Sequence, residues 1–593
     1  MKKIELKNNN ISTNTFNFLA EYLINLGIKP ENVDSFTKGP KAEDEDNPWD
    51  LKNMVNGLEL IKMAAEKGEK VFLQVDSDVD GFTSSAIFYS YFKRRYPELE
   101  IVWRLHEGKE HGVLLDTIPT DCDIIIIPDA GSMQLEEQLK LNEQGKKVLI
   151  LDHHTVTETL TLENVVVINN QTSPNFKNKS LSGAGVVYMF IKAYDKTYFT
   201  DNLIYEQFLD LAALGIISDA MDTRTLGNNY IIQKGLLCIR NKMFQELLQR
   251  QEYSIGDISA PTKIDIAFYI APLINGLIRS GTQDEKELLF SAMLDNQNAD
   301  FFESESRGNQ RIETLYQQAA RIAANAKSRQ DAAKKRASTA LNQKITKEGL
   351  DNNQIIAIAL NKIEGASISP TLTGLIAMDL VKTFNKPVLV LREIIEDGIT
   401  YYRGSGRSKD FDGLKSLLGF IRESKLADYA EGHGNAFGAS FTAEGLENFI
   451  KYANETLKDV DFNNETIEVD YWFKDHVNTT MLREFAEGHR LYGTGIPQPK
   501  FAFSMTVHKD QVKLMGKGTS LNLYYGSVGF VLFKTAAKYM PQFTANEYSR
   551  VNIVGRSQIN TFMGRDSVQV IIDELEIFEG LNPNKKISLM DLL

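Results

Sequence analysis

Cysteine, long apolar runs and excess positive charge are all scarce in this sequence of 593 residues. Cys122 and Cys238 are the only cysteines, which excludes a disulfide framework and fits a reducing cytoplasm. No run approaches the roughly 20 apolar residues that a membrane-spanning helix needs, and the chain opens without a charged and then apolar leader. We therefore expect a cytoplasmic protein that is neither secreted nor embedded in a membrane.

The net charge of −13 argues against a protein that coats nucleic acid with a basic surface. A basic groove within an acidic shell stays open, because local charge decides such binding. One alanine-rich stretch without Gly or Pro, from Arg321 to Lys344, carries seven Lys and Arg residues against the single acid Asp331. These properties predict a basic helix, whose charge forms either a solvated face or a nucleic-acid contact.

Five short apolar runs alternate with helical patterns between residues 71 and 170, which predicts a mostly parallel, doubly wound sheet. The runs are VFLQV (71–75), EIVWRL (100–105), DIIIIP (123–128), KVLIL (147–151) and VVVI (165–168). A long helix is predicted over about 305–345, followed by a second α/β segment with strands at IIAIAL (355–360) and PVLVL (387–391). Beyond about residue 465, aromatic and β-branched residues alternate between glycine-bearing turns, which predicts a small β-barrel.

The first apolar run leads into three aspartates at alternate positions, Asp76, Asp78 and Asp80, in the stretch VFLQVDSDVDGFTSS. Asp-x-Asp-x-Asp-Gly also begins a calcium-binding EF-hand loop, which has a Glu at its twelfth position. Counted from Asp76, that position is Ile87, and a strand rather than a helix precedes the acids. We therefore expect the aspartates at the end of a strand, where open α/β sheets gather their ligands.

Other runs end in the same way. DIIIIP leads to Asp129, and KVLIL leads to Asp152, His153 and His154. Asp219 closes a further apolar segment, LGIIS (214–218). A single Asp after a strand is usually a helix cap, but four such positions that include a His pair indicate a shared site at the carboxyl edge of the sheet.

Clustered carboxylates repel one another and take up protons unless cations neutralise them. Oxygen ligands with one or two imidazoles suit Mn²⁺ or Mg²⁺ better than Zn²⁺. Two such ions a few ångströms apart activate water and clamp the attacking and leaving oxygens of a phosphoryl displacement. The residues therefore predict hydrolysis of a phosphoester with two divalent metal ions.

Four motifs resemble, in this order, those of the DHH phosphoesterase superfamily: DSDVDG (76–81), PDA (128–130), DHH (152–154) and SDA (218–220). Other stretches are similar to the bacterial RecJ-type exonucleases and their DHH-associated domain, namely LSGAGVV (181–187), LDLAALGIISD (209–219), APLINGLIRSG (271–281), RGSGRS (403–408) and GHGNAFG (432–438). The resemblance runs from about residue 47 to about residue 580 and so covers most of the chain.

The resemblance implies a 5′-to-3′ exonuclease that digests single-stranded DNA to mononucleotides in DNA recombination, repair or replication. It implies two metal ions, with Mn²⁺ favoured and Mg²⁺ as the alternative. It also implies a multidomain α/β architecture: a DHH parallel-sheet domain, a long connecting helix, a DHH-associated α/β domain and a C-terminal OB-fold that grips the strand. The matching boundaries are an N-terminal segment (1–46), then 47–304, 305–345, 346–460, 465–580 and a C-terminal tail (581–593).

The resemblance also assigns roles to individual residues. The metal ligands are Asp76, Asp78, Asp129, His153 and Asp219, with Asp129 as the bridging carboxylate. Asp80 ligates directly or supports the ligands, and His154 lies near the scissile phosphate. The residues that match positions for the strand and its 5′-phosphate are Arg104, Arg279, Ser405, Arg407, Ser408, Gly432 and His433.

The sequence departs from the family pattern at several places. Asp-Tyr-Asp is replaced by Asp-Ser-Asp, Ala130 follows the bridging acid in place of Cys, and Glu431 stands in place of the first glycine of a pair. An insertion in EGKEHGV (107–113) changes the neighbourhood of Arg104. None of these differences removes a metal ligand.

Two other functions remain open at this point. One is a DHH phosphodiesterase of short oligoribonucleotides or cyclic dinucleotides, although such small substrates need no β-barrel. The other is a replication scaffold that has lost catalysis, although the acids and both histidines are intact. A monomer in a bacterial or phage-infected cell is expected, and the tail sequence ISLMDLL (587–593) is similar to peptides that bind sliding clamps.

Overall fold

The computed structural model describes residues 3–7, 17–107, 110–294, 301–306, 309–360, 372–462, 466–562 and 564–578. These residues pack into two compact units. Of the described residues, one unit takes those within 4–104, 112–271 and 466–578, and the other takes those within 105–111 and 272–465 together with Lys3. The division shows that two segments far apart in the sequence fold together.

The N-terminal region contains one short strand, β1 (Lys3–Leu6), and the helices α1 (Phe18–Asn25), α2 (Val33–Thr37) and α3 (Met54–Lys67). Asn17 caps α1 by accepting a hydrogen bond from the Ala20 N–H at 3.0 Å. Tyr22 of α1 is fully buried and donates its hydroxyl to the Pro497 carbonyl at 2.9 Å. The N-terminal helix is thus packed against the C-terminal part of the same unit.

The first large sheet has five strands in the order β3-β2-β4-β5-β6. They are β2 (Val71–Val75), β3 (Ile101–Leu105), β4 (Ile124–Pro128), β5 (Lys147–Asp152) and β6 (Val165–Asn169). The pairs β2/β4, β4/β5 and β5/β6 are parallel. The predicted parallel sheet is confirmed, and β2 and β4 are buried along their whole length because helices cover the sheet.

The helices of this part of the chain are α4 (Val79–Arg95), α5 (Leu135–Glu143), α6 (Gly183–Tyr198), α7 (Leu209–Ser218), α8 (Leu226–Leu237), α9 (Lys242–Arg250), α10 (Glu252–Ile255) and α11 (Lys263–Asp265). The next helix, α12 (Ala271–Ser280), belongs from residue 272 onwards to the other unit. A π-helical segment, Ile266–Ile270, joins α11 to α12. The helices α4, α6 and α7 present almost wholly buried faces, so they form the layer that supports the carboxyl edge of the sheet.

The long helix begins later than the sequence predicts. After α13 (Gln283–Met293), the strands β7 (Phe302–Ser306) and β8 (Asn309–Glu313) pair as an antiparallel hairpin, and α14 (Leu315–Glu348) follows. Thr314 caps α14 through a capping box with Gln317, so the helix starts at Leu315 and not near residue 305. Gly349 ends it in the left-handed conformation at φ 67°.

The cations of α14 are largely neutralised by acids. Five of them form ion pairs: Arg321 with Glu313, Lys327 with Asp331, Arg329 with Glu285, Lys334 with Asp379, and Lys344 with Glu348. Lys335 and Arg336 are exposed and have no ion-pair partner within the described ranges. Between Arg321 and Lys344, the local charge excess that the sequence indicates is therefore concentrated on these two residues. Lys347, in the last turn of the helix, is a further exposed cation with no ion pair in the described part of the chain.

The second sheet has the order β12-β13-β11-β10-β9. It consists of β9 (Ile356–Ala359), β10 (Val388–Glu396), β11 (Ile399–Arg407), β12 (Tyr429–His433) and β13 (Ala436–Thr442), with helices α15 (Thr373–Phe384), α16 (Leu417–Ser424) and α17 (Ala443–Thr456). Only β9/β10 is parallel among the described pairs. Both strands predicted here are confirmed, and β10 extends past residue 391 because it continues into a hairpin with β11.

The C-terminal strands are β14 (Thr466–Val469), β15 (Tyr471–Lys474), β16 (Phe501–His508), β17 (Val512–Met515), β18 (Ser520–Tyr525), β19 (Val528–Leu532), β20 (Tyr548–Phe562) and β21 (Arg565–Phe578), with helices α18 (Thr479–Glu487) and α19 (Ala536–Thr544). β14 pairs with β1, and the others form one sheet in the order β15-β16-β20-β21-β19-β18-β17. One hydrophobic core takes side chains from all seven strands, as a strongly curved sheet does. The predicted tail lies outside the described residues.

None of the helices in the described ranges is long and apolar enough to cross a membrane.

Candidate metal centre

Asp76 and Asp78 follow β2 at the carboxyl edge of the parallel sheet. Asp76 is only 5% exposed, and its Oδ1 accepts a hydrogen bond from the Gly112 N–H at 3.0 Å. Asp78 is the N-cap of α4, where its Oδ1 accepts from the Gly81 N–H at 2.9 Å. A helix therefore starts inside the Asp-x-Asp-x-Asp segment, which rules out the loop of an EF-hand.

Asp80 lies in the first turn of α4 and is buried. Its carboxylate accepts from the Ser182 hydroxyl at 2.9 Å, from the Gly183 N–H at 2.6 Å and from the Ala184 N–H at 3.1 Å. These donors belong to the N-terminus of α6, whose dipole favours a negative charge. Asp80 is thus held by the protein itself, and it orients the neighbouring ligands whether or not it also binds a cation.

Asp129 follows β4 and adopts a left-handed backbone conformation, with φ at 63°. Its Oδ1 is buried and meets no hydrogen-bond donor in the described part of the chain, but lies 3.2 Å from His153 Nε2. A buried carboxylate oxygen without a donor is costly, and non-glycine residues in this backbone region are strained by about 1–3 kcal/mol. Binding of a cation by Asp129 Oδ1 would account for both costs.

His153 and Asp219 complete the cluster. His153 Nε2 lies 3.5 Å from Asp219 Oδ2 and 3.9 Å from Asp80 Oδ2, and the ring is buried. Asp219 caps the C-terminus of α7, and its side chain is 31% exposed. The ring nitrogen therefore lies between three carboxylates, two of which belong to the helices α4 and α7.

Asp152 and His154 form a separate contact beside this cluster. Asp152 Oδ1 accepts from His154 Nδ1 at 2.8 Å and from the His153 N–H at 2.7 Å, while its Oδ2 accepts from the Ser132 N–H at 3.0 Å. Burial opposes the charge of Asp152, but these hydrogen bonds keep its pKa below the ordinary range. The same bond raises the pKa of His154 to about 9, so this exposed imidazole is cationic at neutral pH.

The electrostatics of the cluster point to a cation. Burial, followed by the charges of Asp80 and Asp78, raises the pKa of Asp129 well above its ordinary value and that of Asp219 to about 8. Three sets of possible ligand atoms each lie within 4.8 Å of one another: Asp76, Asp78 and Asp129; Asp80, His153 and Asp219; and Asp129, Asp152, His153 and His154. Carboxylate oxygens with one imidazole fit divalent cations such as Mn²⁺ or Mg²⁺.

Two glycines are required for this geometry. A Cβ at Gly183 would lie 2.4 Å from Asp129 Oδ1, and a Cβ at Gly215 would lie 2.3 Å from Asp80 Oδ1. Both glycines belong to the quoted stretches LSGAGVV and LDLAALGIISD, but the sequence alone does not tell that they face the acids. Ser182, which holds Asp80, was missed for the same reason, since its partner is 102 residues away.

Arg104 belongs to the same unit and lies near the end of β3, at the same edge of the sheet. Its Nη1 is buried and meets no hydrogen-bond acceptor in the described residues. Its carbonyl accepts a hydrogen bond from Gln74 Nε2 at 3.1 Å. The guanidinium thus has a donor available for an anion.

Most of the remaining predicted residues belong to the other unit. There Arg407, at the end of β11, is partly buried, and burial together with the nearby charge of Arg279 lowers its pKa. A Cβ at Gly374 would lie 2.4 Å from Arg407 Nη2, so the guanidinium crosses the first turn of α15. Ser405 Oγ lies 2.8 Å from Thr373 Oγ1 in the same turn. Two guanidiniums, two hydroxyls and a helix N-terminus together favour an anion.

Three further predicted residues make local contacts of a different kind: Ser408, Gly432 and His433. The Ser408 hydroxyl is buried and donates to the Lys409 carbonyl at 3.0 Å. Gly432 has φ at 131°, and a Cβ there would lie 2.8 Å from the Phe437 backbone. The close approach of β12 and β13 in their hairpin therefore requires glycine at this position. His433 ends β12 and is exposed. The predicted binding roles of these three residues remain predictions.

Comparison with known protein families gives two matches. The profile of the DHH family N-terminal domain matches residues 70–216, and the profile of the RecJ OB domain matches residues 474–574. The first range contains the acids and histidines from Asp76 to His154, and the second covers most of the C-terminal sheet. The predicted fold class is thereby confirmed.

Curated relatives and solved structures agree with these matches. A putative SPbeta prophage-derived single-strand DNA-specific exonuclease, YorK of Bacillus subtilis, is 32% identical over 583 residues, which is 96% of this chain and 97% of the relative. The single-stranded-DNA-specific exonuclease RecJ of Bacillus subtilis is 26% identical over 566 residues, which is 91% of this chain and 65% of the relative. The crystal structure of RecJ from Thermus thermophilus in complex with Mn²⁺ shares the fold with a TM-score of 0.66 at 19% identity, over 93% of this chain and 76% of that chain.

Proposed function

The chain belongs to the family of RecJ-type single-strand-DNA-specific exonucleases, and from this premise we propose that it hydrolyses the phosphodiester bonds of single-stranded DNA with divalent metal ions. The observation that carries the proposal is the convergence of Asp76, Asp78, Asp129, His153 and Asp219 at one edge of the parallel sheet. A replication scaffold without catalysis would not need this cluster, whose mutual repulsion destabilises the fold unless cations neutralise it.

The proposed cofactors are two divalent ions, with Mn²⁺ favoured over Mg²⁺. Asp129 belongs to two of the three ligand sets, which supports its role as the carboxylate shared by both ions. When bound, the ions supply an activated water and neutralise the charge that develops on the phosphate. The RecJ protein of Thermus thermophilus is described in complex with Mn²⁺ and with Mg²⁺.

The chain's own catalytic contribution is assigned to His154, with Asp80 and Asp129 acting in the cluster. Because Asp152 keeps His154 protonated, the exposed imidazolium can donate to a non-bridging oxygen of the scissile phosphate or to the leaving oxygen. Asp80 fixes the N-terminus of α6 against the cluster and so keeps Gly183 beside Asp129. Asp152 and Asp80 are therefore positioning residues in this proposal.

The proposed direction of digestion is 5′ to 3′, with release of mononucleotides. Its support is the anion-binding arrangement of Arg279, Arg407 and Ser405, which suits a terminal phosphate, and the buried donor of Arg104. Gly432, His433 and Ser408 are retained as strand contacts on the resemblance alone. The boundaries 47–304, 346–460 and 465–580 are likewise proposed as functional parts of the chain, and the connecting helix between the first two is α14 (Leu315–Glu348).

A long strand is favoured over a short oligoribonucleotide or a cyclic dinucleotide. The match to the RecJ OB domain over residues 474–574 supports this choice, because OB-folds track several nucleotides of a strand. We also propose that the protein works in the cytoplasm of a bacterial or phage-infected cell, since relatives come from Bacillus subtilis and its phage SPbeta. The monomeric state remains a prediction from the sequence. The sliding-clamp contact of the tail (581–593) rests on its sequence alone.

The test is a digestion series with Asp129→Asn. Asn tolerates the left-handed backbone and keeps the side-chain volume, but it removes the shared negative charge. Linear single-stranded DNA, duplex DNA and dinucleotides are each incubated with Mn²⁺ or with a chelator. We expect Mn²⁺-dependent release of mononucleotides from the single strand by the wild type and a loss of at least about a hundredfold in the variant.

The control is Asp121→Asn, the same exchange at an exposed acid that pairs with Lys70 at 2.7 Å. It should digest single strands at the wild-type rate. Equal activity of Asp129→Asn and Asp121→Asn would remove the two-metal mechanism, and preferential cleavage of dinucleotides would replace the proposed substrate.

A further inference from the structure

The two longest strands of the C-terminal sheet extend beyond their neighbours. β20 pairs with β16 only up to Gly555, and β21 pairs with β19 only from Gln569 to Ile571. Residues 559–562 and 565–568 therefore pair only with each other among the described strands, with Phe562 opposite Arg565 next to the turn. Four residues per strand at about 3.4 Å each make a two-stranded ribbon about 14 Å long. Its first pair, Ile559 and Val568, still packs against the core of the sheet, so only the pairs beyond it extend past that core.

The two faces of this ribbon differ. On one face Ile559 and Val568 pack against the core of the sheet, and beyond them Thr561 donates its hydroxyl to Asp566 at 2.6 Å. The opposite face is turned away from that core, since residues alternate along a strand. Its six side chains, here called the outer strip, are Gln558, Asn560 and Phe562 on β20 and Arg565, Ser567 and Gln569 on β21.

The outer strip has the composition of a surface that contacts DNA bases. It contains no carboxylate, and its amides, hydroxyl and guanidinium are all groups that bond to base edges or phosphates. Arg565 is exposed and has no ion-pair partner in the described ranges, so its charge is available to a phosphate or a guanine. Phe562 is 67% exposed at the end of the ribbon, where an apolar side chain has no core to join.

We propose that the outer strip is a docking surface for double-stranded DNA, and that the ribbon enters the major groove of a duplex that adjoins the single strand being digested. This inference rests on the proposed function, which brings a single strand to the protein. A two-stranded ribbon fits the major groove, which is about 12 Å wide. Arg556 lies on the same face, nearer the sheet, but its guanidinium pairs with Asp573 at 3.4 Å. Among the described residues, the positive charge of this face that has no ion pair is therefore that of Arg565, next to the turn.

The partner is duplex DNA and not a bare strand for two reasons. Amide and guanidinium groups held in a fixed register on two paired strands match the fixed pattern of donors and acceptors in a major groove. Binding to a bare strand relies instead on several aromatic side chains that stack on successive bases, and the outer strip has only one.

The test measures binding by fluorescence anisotropy in the presence of a chelator, so that cleavage does not interfere. The probes are a duplex with a 5′ single-stranded tail and the free tail alone. The variant carries Gln558→Ala, Asn560→Ala and Arg565→Ala. It should bind the tailed duplex about tenfold or more weakly than the wild type and the free tail with nearly unchanged affinity. Arg565→Ala alone should lower the salt slope for the tailed duplex by about one.

The matched control carries Thr561→Ala on the opposite face of the same ribbon, which leaves the charge of the ribbon unchanged, and it should bind both probes as the wild type does. An equal loss for both probes in the outer-strip variant would assign the ribbon to the single strand and overturn the inference. An unchanged affinity for the tailed duplex would overturn it too. If the wild type binds neither probe, the proposed function itself fails, which separates the two conclusions.

Discussion

His154 Nδ1 donates to Asp152 Oδ1 at 2.8 Å, while 59% of the His154 side chain stays exposed at the edge of the metal cluster. Asp152 is buried and also bonds the N–H groups of Ser132 and His153. One rigid carboxylate thus orients both histidines of the motif. The imidazole that faces solvent is fixed by a residue that no substrate reaches.

A double-mutant cycle tests this coupling. His154→Ala should lower kcat by about a hundredfold or more with little change in KM, because the proton donor acts in the chemical step. Asp152→Asn should also lower kcat, since the imidazolium loses its partner. The double variant should be no slower than His154→Ala, because Asp152 acts through His154. Additive losses in kcat would show that Asp152 acts independently of His154.

Replacing Gly183 by alanine should displace Asp129, because the added Cβ would lie 2.4 Å from its Oδ1. The readout is the rise in melting temperature that Mn²⁺ produces in the wild type, which the variant should lose together with nuclease activity. Gly438→Ala is the control, since the nearest atom to its added Cβ is 3.8 Å away. A Gly183→Ala protein with a normal Mn²⁺ response would show that the close approach is not needed for metal binding.

Arg407→Ala should weaken selection for a 5′-phosphorylated end. The guanidinium lies at the first turn of α15 with Arg279 nearby, and a charge-assisted bond to phosphate is worth about 1.5–3 kcal/mol. We therefore expect the ratio of kcat/KM for 5′-phosphate over 5′-hydroxyl strands to fall about 10- to 100-fold. Arg403→Ala is the matched control, because Arg403 belongs to the same strand but pairs with Glu396 at 2.7 Å. Loss of the ratio in both variants would argue for a distortion of β11 instead.

Two residues of α14 should account for part of the salt dependence of single-stranded DNA binding. Lys335 and Arg336 are exposed without an ion-pair partner in the described chain, whereas Lys344 pairs with Glu348 at 3.7 Å. Changing Lys335 and Arg336 to Gln should reduce the slope of log K against log salt for single strands by about 1.4, or about 0.7 per contact. Lys344→Gln should leave the slope unchanged. A slope that is the same in all three proteins would make the basic face of α14 a solvated surface.

The sequence predicted the metal cluster because its chemistry is local. Asp76, Asp129 and His153 each follow a strand, and parallel strands end at one edge, so these three residues had to meet. Asp219 instead ends helix α7, so its apolar segment is helical and only the fold brings it to the same edge. The sequence did not show that Glu285 and Asp379 pair with Arg329 and Lys334 of α14, because these acids are distant in the sequence. Periodicity also failed to detect the β7–β8 hairpin, whose ten paired residues are mostly polar.

Lys263 is the first residue of α11, and its buried side chain lies beside Gly493 of the loop that enters the C-terminal sheet. Its Nζ lies 3.2 Å from Thr223 Oγ1, and Thr223 in turn donates to the Thr494 carbonyl at 2.8 Å. Burial lowers the pKa of Lys263 to about 7. Below that pH the folded protein must hold a buried charge, and the resulting cost is relieved as the pH rises from about 7 towards the ordinary pKa of lysine, about 10.4.

Lys263→Met should therefore stabilise the protein at pH 7, by about 2–4 kcal/mol for a shift of this size, and the gain should shrink at pH 10. The measurement is the melting temperature of both proteins at the two pH values, with a chelator present to remove metal binding. Lys38→Met serves as the control, because Lys38 is 75% exposed and forms only a surface pair with Asp34. A Lys263→Met protein that is less stable than the wild type at pH 7 would mean that the hydrogen bond to Thr223 outweighs the cost of burying the amine.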